Sequence, residues 1–236
     1  MKGITTVKWF NNNLIQFVFI FVSVLFAFSL SEWSNKREER ITEVKILKEI
    51  SNSLKRDLYD LDNNVFAYEM SERSIEIVKE WLDGNNTPND SLNLYYQIML
   101  RNYTPIINRS AYESLKSTNI KIISNDSLRL DIISMYDYYY RMVEKLEDEI
   151  FEMQDYRNHS EKVNKIISPY MIFDENIQLI GLADASEISE KDKNSILESF
   201  WKVTENRKFK VQLYNDIISQ INLLEQKIDK ELDKLN

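Results

Sequence analysis

Leu14–Leu30, LIQFVFIFVSVLFAFSL, is the stretch from which the rest of the chain is read. It carries no charge, and its only polar side chains are Gln16, Ser23 and Ser29. At about 1.5 Å rise per residue these residues span roughly 25 Å as a helix, close to the ~30 Å hydrocarbon layer of a bilayer. Trp9 and Trp33 bracket the run, and tryptophan favours the headgroup level. The run predicts a single transmembrane anchor over residues 14–33, with a short tail before it (1–13) and an extramembrane domain after it (34–236). A cleaved signal peptide would have a shorter apolar region and a small-x-small site, which Ser29-Leu30-Ser31 matches poorly. Lys2 and Lys8 flank one side and Lys36, Arg37 and Arg40 the other, so loop charge nearly ties. The short tail and the long C-terminal domain favour N-in, C-out. Ser23, Ala27 and Ser31 recur at i, i+4, i+8, a small-residue face that lets two helices approach, so a second copy of the chain is one candidate partner.

Composition narrows the rest. Gly and Pro number three each in 236 residues, which points away from a turn-rich β fold and towards long helices. The chain's net charge is −8; its first 31 residues carry Lys2 and Lys8 and no acid, so the remainder stands at −10. That balance supplies no basic face, so nucleic acid is not an expected partner. With no cysteine, disulfides and thiolate metal sites are excluded.

Beyond the anchor, Leu47, Leu54, Leu61, Tyr68, Ile75 and Leu82 recur every seven residues, with Ile50, Leu58, Val65 and Val78 three or four later. This is a core-facing stripe with coiled-coil spacing on a helix from Asn35 to Asp83, roughly 70 Å long. Asn35 and Glu38 have capping-box spacing, so at most a kink is expected near Ser31–Asn35. Asp83–Asp90, DGNNTPND, is a turn. A helix over Ser91–Asn102 should follow with Leu94, Tyr95, Ile98 and Met99 inward, and Pro105 breaks the chain after it. Ser110 and Glu113 form a second capping box, opening a helix with Tyr112 and Leu115 inside. Asn119 is expected to end that helix in a left-handed C′ conformation, with Lys121–Ser124 irregular.

Asn125 or Asp126 caps the next long helix, to about His159, with Ile132, Tyr139, Leu146 and Met153 at sevens and Tyr136, Val143 and Ile150 between. A helix through Val163, Ile166 and Ile167 stops near Pro169, and Tyr170–Glu187 is the least regular region. Ser189 and Asp192 cap a helix with Ile196, Leu197, Phe200 and Trp201 inward. A separate last helix, Thr204–Leu235, carries Tyr214, Ile217, Ile221, Leu224, Ile228 and Leu235. The expected fold is all-α: the anchor helix continuing into an elongated antiparallel bundle.

Residues for chemistry are sparse. His159 is the sole histidine, too few for zinc or for histidine-bearing di-iron sites. Glu144, Glu147, Asp148 and Glu152 form an acidic run that reads as a solvated helix face opposite Tyr139 and Leu146. Asp155 and His159 read as an ordinary surface pair. Of the tyrosines at 136, 138, 139 and 140, helical spacing turns Tyr138 outward and the others into the core. Three glycines supply no phosphate loop or nucleophile elbow. No catalytic, cofactor-binding or metal-ligating residue is assigned, and no cofactor is expected.

Two patches carry a resemblance. One runs Ala27, Trp33, Arg37 into the helix beginning near Leu47; the other runs Tyr112-Glu113-x-Leu115-Lys116-Ser117-Thr118-Asn119, then Ile123, Leu128, Arg129 and Tyr136. Together they resemble an uncharacterised bacterial family, a domain of unknown function with one N-terminal transmembrane helix ending in Trp and Arg and a helical domain after it. The chain departs from that family at Asn119, where Gly is usual, and in the anchor, where Val and Ser replace glycines. The resemblance implies this architecture and no activity. The expected function is a non-catalytic scaffold held by the lipid bilayer, its acidic bundle presented to a protein partner, in a bacterial inner membrane with the domain outside the cytoplasm. The alternatives are an exported ligand-sensing bundle that signals through a partner, and an enzyme whose site carries no recognisable motif.

Overall fold

A computed structural model of the chain describes residues 4–85, 89–150 and 156–235. Helix α1 (Ile4–Leu82) runs unbroken for 79 residues, about 120 Å. Residues 16–41 are exposed on every side, and Ile46 is the first apolar side chain that packs into a core. Within that exposed part lies the one described helix segment long and apolar enough to cross a membrane. Its hydroxyls are satisfied internally: Ser23 donates to the Phe19 carbonyl (2.7 Å) and Ser29 to that of Leu25 (2.9 Å). Helices cross hydrocarbon because each polar group can be paired within the helix in this way.

The bundle forms around the far half of α1. Short helices α2 (Asn89–Met99), α3 (Ser110–Thr118), α4 (Asp126–Ser134), α5 (Tyr140–Asp148) and α6 (Tyr156–Ile167) surround it. A π turn, Met135–Tyr139, joins α4 to α5 without a break. The last helix, α7 (Glu190–Leu235), runs antiparallel to α1 and packs along it. At the foot of the bundle the Arg40 guanidinium donates to the carbonyls of Leu235 (2.9 Å) and Lys234 (3.3 Å), tying the two ends together. At the far end, β1 (Met171–Phe173) and β2 (Leu179–Leu182) pair as an antiparallel hairpin.

The seven-residue stripe of α1 forms the spine of the core: Leu47, Leu54 and Leu61 are fully buried, and Tyr68, Ile75 and Leu82 nearly so. Across from it lie Tyr214, Ile217, Ile221, Leu224 and Ile228 of α7. The apolar residues fall into two clusters. The lower one joins α1, α3, α4, α5 and α7; the upper joins α1, α2, α6, β2 and the start of α7.

Several expectations are corrected. Asn35 caps nothing, because α1 continues through it; the Glu32–Lys36 pair at i, i+4 spans that point. Helix α2 is rotated from the expected phase: Leu92, Tyr96, Met99 and Leu100 face in, and Leu94 is 57% exposed. Arg109 is the N-cap residue of α3 and makes no side-chain cap; Asn108 Oδ1 instead accepts from the Ser110 N–H and hydroxyl, so the Ser110–Glu113 box does not form. Asn119 is extended (φ −178°), and its side chain accepts from the Lys121 N–H at the start of a 3-10 turn, Ile120–Ile122. The predicted left-handed C′ is therefore absent.

The helix capped by Asn125, whose side chain accepts from the Leu128 N–H (3.2 Å), ends at Asp148 rather than His159, and Ile150 is exposed. Met153 lies outside the described residues, as does the middle of the Asp83–Asp90 turn. Tyr170–Glu187 contains the hairpin. Ser189 and Asp192 cap α7 as expected, but the two last helices are one of 46 residues, and Trp201 is 62% exposed. Tyr112 and Leu115, the buried face of α3, sit where the spacing put them.

Candidate functional site

Polar side chains are buried at two levels of the bundle. The lower group grows from Asp57, on the core face of α1 and only 1% exposed. Its carboxylate accepts from the Asn108 N–H (2.9 Å) and the Tyr140 hydroxyl (2.8 Å). One turn on, Asp60 accepts from the Ile106 N–H (2.6 Å). The two carboxylates thus pin the irregular segment around Pro105 to α1, replacing the backbone bonds that proline and the helix ends leave unmade. Burial pushes the Asp57 carboxyl up to about 6, against the pull of its two donors.

Tyrosines close over this carboxylate. Tyr112 and Tyr136 stack with ring centres 4.4 Å apart, and Tyr140 meets Tyr136 edge-on at 5.1 Å. Burial raises the hydroxyl pKa of all three. The Tyr112 hydroxyl donates to Asp137 (2.7 Å), while the buried Tyr136 hydroxyl has no partner among the described residues. Arg109 closes the outside, donating to the Tyr136 carbonyl (3.1 Å) and pairing with Glu144. The π turn sits at this point, and widened turns of this kind re-aim side chains. Tyr136 and Tyr140, four residues apart, lie together on the Asp57 side while Tyr138 stays 57% exposed, as the spacing predicted, and Tyr139 is part-exposed.

The upper group lies between the two apolar clusters. Glu147 of α5 and Lys210 of α7 pair at 2.8 Å with side chains 5% and 3% exposed. The Tyr214 hydroxyl donates to the other Glu147 oxygen, and Thr104 adds a bond of 3.3 Å. Lys210 also donates to Asn102 Oδ1 (3.2 Å). The Tyr68 hydroxyl sits 2.9 Å from that same oxygen and 2.6 Å from the Tyr103 carbonyl. Arg207 lies over the Tyr68 ring at 5.6 Å and donates to the Arg101 carbonyl (2.9 Å). Four segments meet here, and hydrogen bonds satisfy the charges that burial takes out of water.

The acidic run read as a solvated face is therefore corrected. Glu147 is the buried anion of this layer. Glu144 and Glu149 are engaged by arginines, Glu144 by Arg109 and Arg141 and Glu149 by Arg141. Glu152 and Asp155 lie outside the described residues. Among the described residues no three His, Cys, Asp or Glu side chains are grouped to hold a metal ion. Three open clefts of about 510–520 Å³ flank the bundle. One lies near the hairpin, beside Lys162, Tyr170 and Glu187; one lies beside Tyr96 and Asn164, whose side chains are hydrogen-bonded; one lies at the foot, beside Arg40, Lys121 and Lys234. None opens onto Asp57 or Glu147. Both buried groups are thus closed to solvent and connect elements of the bundle.

The sequence missed these partners because each pairing spans a long separation: 63 residues from Glu147 to Lys210 and 83 from Asp57 to Tyr140. A lysine and an aspartate standing on the apolar stripes of α7 and α1 were the available signal. Residues 16–172 match a family of unknown function, DUF6090, so the match takes in α1 through the start of β1. No curated protein and no solved structure matches the chain.

Proposed function

The chain belongs to the DUF6090 family of unknown function, and we propose that it is a non-catalytic, membrane-anchored scaffold that holds a protein partner at a distance from the bilayer. The observation that carries this is the continuity of α1. One helix is bare and apolar over the anchor and, without interruption, is the spine of the bundle. From Leu30 to Leu82 it rises roughly 80 Å, so a rigid rod sets the height of whatever the upper end binds. The buried polar groups support the same reading. Their carboxylates are buried, hydrogen-bonded and placed between packed elements, the arrangement of a group that fixes a fold. This reading puts the bundle on the outer side of a bacterial inner membrane, since long domains translocate largely regardless of their charge.

The test has two parts. Full-length protein should stay with membranes through an alkaline carbonate wash, and crosslinking in those membranes should capture a partner in stoichiometric amount. Release by carbonate refutes the anchor; absence of any captured protein refutes the scaffold. A sensing role is the second reading, favoured by the same continuity, since a shift of α1 in the bundle would carry into the bilayer. It requires one metabolite to raise the melting temperature saturably, by an amount equivalent to about 2.7 kcal/mol at 100 times its dissociation constant.

A further inference from the structure

At the upper end of the rod the hairpin turns its apolar residues outward. Ile172 is 39%, Phe173 51%, Ile180 46% and Ile177 81% exposed. Ile177 also has a positive φ of 62°, the only described non-glycine residue to do so. A β-branched side chain resists that conformation, so a turn selected for stability alone would carry Gly or Asn there. The turn is well built around it. Asp174 Oδ1 accepts from the N–H groups of Asn176 (2.9 Å) and Gln178 (2.7 Å), and the Asp174 carbonyl accepts from Ile177 (3.1 Å). The hairpin is also fixed to the bundle. Asn93 donates to the Leu179 carbonyl (2.9 Å), and the Trp81 indole donates to that of Ala183 (2.9 Å). An apolar tip is thus held out on a rigid base.

The surrounding charge selects what can cover it. Residues 171–190 contain Asp174, Glu175, Asp184, Glu187 and Glu190 and no basic residue. Lys162 and Lys165 of α6 line a cleft with Tyr170 and Glu187 at the base of the hairpin, which leaves Asp174 and Glu175 as the charges at the apolar tip itself. Glu190 pairs with Lys193, and the other four make no ion pair among the described residues. A second copy meeting it hairpin to hairpin would bring like charge against like, and an anionic lipid surface would be repelled in the same way. A basic-rimmed apolar cleft meets both features, with aliphatic and aromatic anchors in the cleft and carboxylates at its rim.

We propose that the hairpin Met171–Leu182 is the docking tip of the scaffold, and that its partner is a protein presenting an apolar cleft rimmed by lysine and arginine. This rests on the scaffold reading above. The stretch matched to the family ends at residue 172, just as the hairpin begins, so the tip belongs to the part of the chain that the match does not cover.

The experiment uses the full-length protein in its own membranes. A benzophenone amino acid is placed at position 177 and, as a control, at Leu223, an exposed residue of α7. Irradiation should link position 177, and not 223, to a protein other than this chain. The linked peptide should place an apolar residue among Lys or Arg side chains. With the probe moved to Phe173, Ile177→Gly should lower capture about tenfold while leaving the melting temperature unchanged or higher. The pair Asp174→Asn, Glu175→Gln keeps the turn's acceptor at residue 174 and should also lower capture. The proposal is overturned by equal linkage from 177 and 223, by linkage to lipid, to a second copy or to an acidic surface, or by undiminished capture in Ile177→Gly. If a general lysine crosslinker captures a stoichiometric partner while position 177 links to none, the hairpin proposal falls and the scaffold stands. If neither captures a partner, both fall.

Discussion

Asp57 and Glu147 are both carboxylates taken out of water inside one bundle, yet they are kept there by different means. Glu147 meets a full positive charge, Lys210, and two hydroxyls. Asp57 meets only neutral donors, a backbone N–H and a phenol. The first arrangement joins α5 to α7 through a charge that cannot be removed singly without leaving its partner stranded. The second joins α1 to the Pro105 segment through a carboxylate that can take up a proton. The bundle is thus welded at one level and titratable at the other.

The largest effect should come from breaking the charged layer on one side. Lys210→Met leaves Glu147 buried without its cation and should cost about 3–5 kcal/mol in stability, read as the denaturant midpoint of the full-length protein in detergent. Adding Glu147→Leu should restore a large part of that loss, because the penalty belongs to the unpaired charge. A purely apolar deletion sets the scale. Leu115 is fully buried, and Leu115→Ala should cost about 2–5 kcal/mol by leaving a cavity between α3 and α1; an unchanged midpoint would remove α3 from the core.

The Asp57 side of the comparison is a pH experiment. Its folded-state pKa is raised to about 6, above the unfolded value of about 3.9. Between those values the folded state binds the extra proton. The group's contribution to stability therefore rises as pH falls from about 6 towards 4, and is lost as pH rises through 6. Melting temperatures at about pH 5 and about pH 7.5 should show this rise on acidification, and Asp57→Asn should flatten it. A slope unchanged in Asp57→Asn would assign the effect to another group. The smallest effect belongs to a surface acceptor. Asn119→Val should cost under about 1 kcal/mol, since an extended residue tolerates a β-branched side chain and only the bond from Lys121 is lost. A loss of several kcal/mol would mean that the residue is left-handed after all.

What could be read from the sequence was what repeats along one helix. The stripe from Leu47 to Leu82 and that from Tyr214 to Ile228 face the core because period alone decides it. Short elements escaped. In α2, eleven residues hold too few apolar positions to fix a phase, and Leu94 was placed inward where Leu92 belongs. The hairpin strands are three and four residues long, below the length at which alternation can be seen. Local signals lost to distant contacts. Asn35 and Glu38 have the spacing of a helix start, but the helix through them was already propagating from the anchor. Glu147 was grouped with its acidic neighbours although it stands seven residues after Tyr140 and four after Val143, on the buried stripe of its own helix; the partners that satisfy it there, Lys210 and Tyr214, are 63 and 67 residues away.

The bond from Arg40 to the Leu235 carbonyl joins residues 195 apart, and that separation has a consequence in time. The spine is synthesised well before the helix that packs along its stripe. Until α7 follows, Leu47, Leu54 and Leu61 have only α3, α4 and α5 to cover them. Contacts closed across such a separation form late and slowly. The bundle therefore reaches its final form only after α7 has been made. Until then the side of the stripe that Tyr214, Ile217, Ile221, Leu224 and Ile228 will cover stays exposed to water.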